Sequence, residues 1–218
     1  MIDLHTHTFL SDGELSPFEL VYTVKYNGYV AVAITDHVDY SNMELIIPGV
    51  VKAAKILMEN YDILVLPGVE LTYIPPKLIK YIVIECRNLG SKVVVVHGET
   101  VSETVPVGTN ICAIRACVDI LAHPGYLSED EAILAAENNV KIEITTRRGH
   151  NVTNKKIAEM AISKKAKLVL NTDMHTSKQF LTKELIAKTL LNAGLSTDYY
   201  SVMRKNSLEI VNVHGYSL

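Results

Sequence analysis

The feature that most constrains this chain is an alternation. Short apolar, β-branched runs recur along it, and each is followed by a stretch of helical composition. The runs are IDLH from Ile2, YVAVAITDH from Tyr29, DILVLPGVE from Asp62, KVVVVHGE from Lys92, VDILAHPG from Val118, VKIEITT from Val140 and KLVLNTDMH from Lys167, which makes seven predicted strands. Strands that are apolar almost throughout, with helices between them, imply a parallel sheet covered on its outer face. The helices have readable starts at Ser16-Pro17, Pro75-Pro76, Ser128 and Thr153-Asn154. The stretch SNMELIIPGVVKAAKILMENY is also helical, with a break or restart expected at Pro48-Gly49. The tail from Thr197 is expected to form an extra strand or an irregular wrap.

No Pro/Gly/Ser-rich linker interrupts the alternation, so residues 1–218 are expected to form one domain. The strand count favours a closed or nearly closed α/β barrel over an open doubly wound sheet. An open sheet would call for a glycine-rich phosphate loop after its first strand, where this chain has His-Thr-His-Thr.

Almost every one of these strands ends in an ionisable residue. The first ends in His5 and His7, which share one face of a strand, and the next in Thr35-Asp36-His37. Glu70, His97-Gly98-Glu99, His123 and Asp173-Met174-His175 follow at the later strand ends. Six of the eight histidines therefore sit where the strands of a βα barrel converge on its C-terminal mouth. His150 and His214 fall outside this pattern and are expected at the surface. So many imidazoles and carboxylates in one concavity would be costly to bury unless cations neutralised the carboxylates and accepted the nitrogen lone pairs. Nine side chains, with one bridging carboxylate, can hold two or three divalent ions. Mixed His and carboxylate ligation suits zinc, manganese or iron rather than a calcium cage or a thiolate cluster.

Composition narrows the partners. A net charge of -3, from 21 Lys+Arg and 24 Asp+Glu with no long single-sign run, argues against wrapping extended duplex nucleic acid. With no Trp and three Phe, a stacking platform for single strands is poorly supplied. No transmembrane-length apolar run and no leader-like N-terminal segment is visible, so no membrane partner is expected. Cys86, Cys112 and Cys117 form no CxxC pair, suit a reducing cytoplasm, and are expected to be small core residues.

The sequence resembles the PHP family, the polymerase and histidinol phosphatase domain. The resemblance is carried, in the family's order, by DLHTHTFLSDG (3–13), ITDH (34–37), PGVE (67–70), VHGE (96–99), AHPG (122–125) and NTDMH (171–175). It implies a distorted seven-stranded (β/α)7 TIM-like barrel with a trinuclear metal site and phosphoesterase activity. Carried onto these positions, His5, His7, Glu70 and Asp173 would hold one metal, and a bridging Glu70 with His97 and His123 a second. Asp12, His37 and His175 would hold the third, Asp12 standing where some members have histidine. Asp3 matches a motif position expected to orient a ligand or cap a turn.

The expected reaction is hydrolysis of a phosphomonoester of a small metabolite, histidinol phosphate being the family's namesake, by a hydroxide between the Glu70-bridged metals. Glu70, His97 and His175 are the catalytic candidates. Arg147 and Arg148, after the sixth strand in IEITTRRGH, are candidates to bind the phosphate, because guanidinium binds phosphate oxygens in pairs. A phosphodiesterase, nuclease or nucleotide phosphatase on the same metals is the alternative. The near-complete ligand set disfavours a purely structural role.

Overall fold

The computed structural model describes residues 1–216. Its strands are β1 (Ile2–Asp3), β2 (Ala31–Ile34), β3 (His37–Val38), β4 (Leu64–Leu71), β5 (Val93–His97), β6 (Ile120–Ala122), β7 (Lys141–Thr145) and β8 (Leu168–Asn171). All pair in parallel in the order β1-β2-β4-β5-β6-β7-β8, and β3 continues the line of β2 beside β4. The result is a nearly closed barrel of seven parallel strands, the second of them interrupted. Its register sets His37 opposite Glu70.

The seam between the first and last strands closes only at the mouth. There a single bridge joins Thr6 to Met174. The His7 N–H donates to Met174 O at 2.8 Å and the Asp173 N–H to His5 O at 3.0 Å. The two segments that close the barrel are thus the His-x-His and Asp-x-His segments.

Burial follows the pleat. Ala31 and Ala33, Val93 and Val95, Ile120 and Ala122, with Leu4, Leu66 and Val169, form the cluster inside the barrel. Their strand neighbours, such as Val32, Ile34, Val94, Val96, Leu121, Leu168 and Leu170, join the larger core beneath the helices. Alternation of this kind puts Glu70, His97 and Glu143 on the interior face.

The helices are α1 (Pro17–Tyr26), α2 (Met43–Asn60), α3 (Pro76–Asn88), α4 (Thr109–Arg115), α5 (Glu129–Glu137), α6 (Asn154–Ser163), α7 (Lys183–Asn192) and α8 (Tyr199–Val213). Capping boxes at Ser16/Glu19 and Ser128/Glu131 begin α1 and α5. None of the helices among the described residues is long and apolar enough to cross a membrane.

Three expectations fail. The helix containing Pro48 runs unbroken. Pro48 and Gly49 lie on its exposed face, where the one carbonyl left without a partner can be hydrated, while Met43, Ile46, Ile47, Val50, Ala54 and Leu57 anchor the buried stripe. The tail is neither strand nor wrap through residue 213 but helix α8. Ile210 and Val211 of α8 join the interior cluster, and Asn206 Nδ2 donates to Leu168 O at 2.7 Å. Residues 217–218 of the predicted tail lie outside the described residues. Of the cysteines, Cys86 is buried, but Cys112 is only half-buried and Cys117 is exposed in the turn after α4, at φ 53°.

Candidate metal centre

The nine predicted ligands converge on the barrel mouth. Glu70, at the end of β4, is central: its Oε2 lies 3.3 Å from His5 Nε2, 3.4 Å from His7 Nε2 and 3.1 Å from His37 Nδ1. Its Oε1 faces the other way, 3.4 Å from His97 Nδ1 and 3.9 Å from His123 Nε2. Asp173 Oδ1 lies 3.2 Å from His7 Nε2 and 3.7 Å from His5 Nε2. Asp12 completes the outer set, with Oδ1 3.6 Å from His37 Nε2 and Oδ2 3.1 Å from His175 Nε2.

Such separations fit metal ligands. Two ligand atoms about 2.1 Å from one tetrahedral ion are roughly 3.4 Å apart. Four clusters among the described residues have ligand atoms close enough to share an ion: His5, His7 and Asp173; His7, Asp12, His37 and His175; His97, His123 and His150; and His5, His123 and Glu143. The chemistry of the buried atoms agrees. His5 Nε2, both ring nitrogens of His7 and His123, His97 Nε2 and Glu70 Oε1 are buried without a hydrogen-bond partner. Buried polar atoms left unpaired are destabilising, and divalent cations would take their lone pairs.

Electrostatics sort the protons. Burial favours neutral His5, but Glu70, Glu143 and Asp173 outweigh it and hold the imidazole pKa well above its usual value. Burial together with the His37 charge drives His7 well below its usual value, and burial with His97 does the same to His123. Both rings are therefore neutral with lone pairs available, as a metal ligand must be. Burial opposes ionisation of Glu70, yet the surrounding imidazoles, His5 and His37 foremost, bring its pKa well below the usual range. Asp173 goes the other way: burial, reinforced by the Glu70 charge, pushes it up to about 7.

Backbone geometry at the mouth is special as well. His123 (φ 29°), directly after β6, and Asp173 (φ 53°), two residues after β8, are in the left-handed region that few non-glycine residues adopt. Gly125, at φ 71°, lies so close to Glu99 that an added Cβ would stand 2.0 Å from its carbonyl oxygen.

Several polar residues support the ligands. Asp36 accepts from the Thr8 N–H, the Thr8 hydroxyl and the Ser11 hydroxyl, each at 2.7 Å, and so fixes the loop that carries Asp12. Asp3 accepts from the Thr172 hydroxyl at 2.6 Å and the Thr172 N–H at 3.2 Å, next to Asp173. It thus acts on a neighbouring turn, and burial raises its pKa to about 6. Glu99 accepts from the Gly108 and Asn110 N–H groups, each at 3.0 Å, which braces the loop after β5.

Two residues join the centre without having been expected there. Glu143, fully buried in β7, places Oε2 2.8 Å from His5 Nδ1 and accepts from Asn171 Nδ2 at 2.9 Å. Its signal in the sequence was a lone carboxylate inside an apolar strand, in VKIEITT. His150, expected at the surface, is buried, its ring centroid 4.4 Å from that of His123 and 5.6 Å from that of His97. Burial, with His97 adding to it, lowers its pKa to about 4. His214 does stay off the centre: it is half-buried and lies 3.0 Å from Asp119.

The arginines divide. Arg147 reaches the centre, with Nη1 3.2 Å from Asp173 O and 2.6 Å from His175 Nδ1. Arg148, expected at the same mouth, is exposed and lines a separate pocket with residues of α7. The turn explains the split. The Asn151 N–H donates to Arg147 O at 3.0 Å, so the chain coils after Arg147 and residues three apart, Arg147 and His150, share one face.

Residues 3–186 match the model of the PHP domain. The chain belongs to the PHP family. An uncharacterized protein of Methanocaldococcus jannaschii is 45% identical over 196 residues, covering 89% of this chain and 90% of that one. Among solved structures, a chain of archaeal ribonuclease P with mature tRNA superimposes with a TM-score of 0.75 at 16% identity, covering 98% of this chain and 91% of that chain. A candidate histidinol phosphatase of Listeria monocytogenes gives 0.58 at 12%, covering 83% of this chain and 97% of that chain. At these identities, both structural likenesses establish the shared barrel. The nine side chains that the resemblance implies as ligands lie at the mouth.

Proposed function

We propose that this PHP protein is a metal-dependent phosphoesterase that releases phosphate from a phosphomonoester of a small metabolite. The observation that carries the reading is Glu70, whose two oxygens face two separate sets of imidazoles. When bound, divalent ions such as zinc, manganese or iron would supply Lewis acidity toward water and the phosphoryl oxygens. His5, His7, Glu70 and Asp173 would hold one, Glu70, His97 and His123 another, and Asp12, His37 and His175 a third.

The chain's own residues do the rest. The inner ligands are closed off, whereas Asp12 is half-exposed and His37 partly exposed, so the substrate approaches over the outer set. Arg147 lies beside His175 and Asp173, where its guanidinium can take two phosphoryl oxygens. Glu143 and Asp36 keep His5 and the Asp12 loop in place. Next to the outer set opens a cleft of about 430 Å³ lined by Asp12, Asp39, Asn42, Tyr73 and Glu103 among others, with no lysine or arginine among its lining residues. That wall suits a neutral or cationic alcohol better than a polyanion.

A nuclease, phosphodiesterase or nucleotide phosphatase would use the same ligands, and the barrel shared with a chain of ribonuclease P favours it. A metal-reconstituted screen of phosphomonoesters, nucleotide bisphosphates and single-stranded oligonucleotides separates the two. Free phosphate from small phosphomonoesters alone is expected; cleaved oligonucleotides with intact phosphomonoesters would overturn the proposal. Glu70→Gln should lose bound metal and turnover together, and retained turnover at normal metal content would refute the bridging role of Glu70.

A further inference from the structure

His150 remains unused by this reading, although nothing about its position is casual. It begins the 3-10 turn His150–Thr153 after β7, is buried, and packs against His123 with ring centroids 4.4 Å apart and planes tilted by 32°. Its Nδ1 lies 3.1 Å from Ser102 Oγ and 3.2 Å from Thr100 Oγ1, hydroxyls on the loop after β5. Both can accept a hydrogen bond from Nδ1–H, the tautomer in which Nε2, 4.0 Å from Glu103 Oε2 and beyond hydrogen-bond reach of it, keeps its lone pair. An imidazole tied through one nitrogen to oxygen, with the other nitrogen free, is the usual posture of a metal-ligating histidine.

The ligand atoms of His97, His123 and His150 lie within 4.8 Å of one another. The centre of such a triangle is at most about 2.8 Å from each corner, against zinc–nitrogen bonds of about 2.0–2.1 Å. Each ring would therefore move inward by no more than about 0.8 Å. His97 and His123 also retain unpaired buried nitrogens, His97 Nε2 and both of His123.

We propose that His150 is a metal ligand, which together with His97 and His123 makes a three-imidazole position. Three imidazole nitrogens select zinc over manganese, because imidazole suits zinc while manganese prefers oxygen ligands. Thr100 and Ser102 are positioning residues that hold the ring. The proposal rests on the reading of the mouth as a metal centre and adds a ligand from a loop to those at the strand ends.

The test is stepwise zinc loading of the stripped full-length protein, with bound zinc counted by elemental analysis, affinity measured by chelator competition, and neighbours counted by X-ray absorption. Wild type should take up zinc, and a three-imidazole environment should be present. His150→Gln should lose one equivalent or bind it at least 100-fold more weakly, with one imidazole fewer. Ser102→Ala should weaken the same equivalent by roughly 10-fold while keeping the imidazole count. Wild type without zinc would sink the metal-centre reading itself. Wild type that binds zinc with His150→Gln matching it in number, affinity and imidazole count would overturn the proposal alone. If His150→Gln does not fold, the wild-type imidazole count and the Ser102→Ala affinity decide: two imidazoles at most per zinc and unchanged affinity would refute it.

Discussion

Asp173 provides a perturbation whose sign depends on metal. Its carboxyl is buried beside Glu70, and its pKa rises from 3.8 to about 7. Between those values the folded protein holds a proton there that the unfolded chain has released, so stability falls as pH rises through this window. Three units at 1.36 kcal/mol each make the ionised carboxylate cost about 4 kcal/mol by pH 8. Asparagine has nearly the same shape and cannot ionise. For the protein stripped of metal, Asp173→Asn should therefore be more stable than wild type at pH 8, by as much as about 4 kcal/mol. That is roughly 10 °C in Tm for a chain of this length. The gap should shrink as pH is lowered toward 4. Zinc should reverse the order, since a bound cation stabilises the ionised wild-type ligand and binds the amide poorly. Thermal melts of both proteins at pH 5 and 8, with chelator and with zinc, supply the four comparisons. A stripped variant no more stable than stripped wild type at pH 8 would refute the claim that Asp173 is strained by burial and held in place for a cation.

If Arg147 binds the phosphoryl group as proposed, Arg147→Ala should lower kcat/KM by about 10- to 100-fold, while Arg148→Ala should leave it unchanged; steady-state kinetics on the best phosphomonoester distinguish them. Asp36→Ala strips three hydrogen bonds from Thr8 and Ser11 and should destabilise the fold by about 2–4 kcal/mol in urea melts, and it should weaken any ion bound at the proposed Asp12, His37 and His175 position. Gly125→Ala puts a Cβ 2.0 Å from Glu99 O at φ 71°, so the soluble yield or Tm should fall sharply; a Tm within 2 °C or so of wild type would show that the loop yields freely. Metal removal should speed hydrogen exchange at the His7 and Asp173 amides, which bond across the seam, far more than at the Val95 amide inside the sheet.

The seven strands and the mouth were legible because a parallel barrel leaves few choices. Runs such as VVVV before His97 are too apolar for a surface, and the topology then carries every strand end to one side. What escaped was set by local geometry without a periodic signal. Arg147 and His150 turn inward together because the chain coils between them, the Asn151 N–H reaching back to Arg147 O just as the 3-10 turn His150–Thr153 begins, and nothing in RRGH announces that coil. Helix α8 was obscured by SLEIVNV, whose β-branched Ile210, Val211 and Val213 favour a strand. Its buried positions Met203, Asn206, Ser207, Ile210 and Val211 in fact follow the helical spacing, with two polar residues disguising the stripe. Pro48 misled for the opposite reason, since a rule about helix interiors was applied to an exposed face one turn from the start.

The same residues close the barrel and build the centre, and this links stability to function. Regular pairing between β1 and β8 is absent from the ladder order, and the gap is spanned at the mouth by backbone bonds of His5, His7, Asp173 and Met174. Below it, Ile210 and Val211 of α8 fill the interior and Asn206 caps the start of β8. Three of the four residues at the mouth seam are predicted ligands, so ions bound by the proposed set would draw their side chains together and pull the two strand extensions into register. A barrel of eight strands could complete its ladder without such help. In seven strands the last gap falls to the His-x-His and Asp-x-His segments, so a substitution that weakens ligation should loosen the fold at the seam before it disturbs the strands opposite.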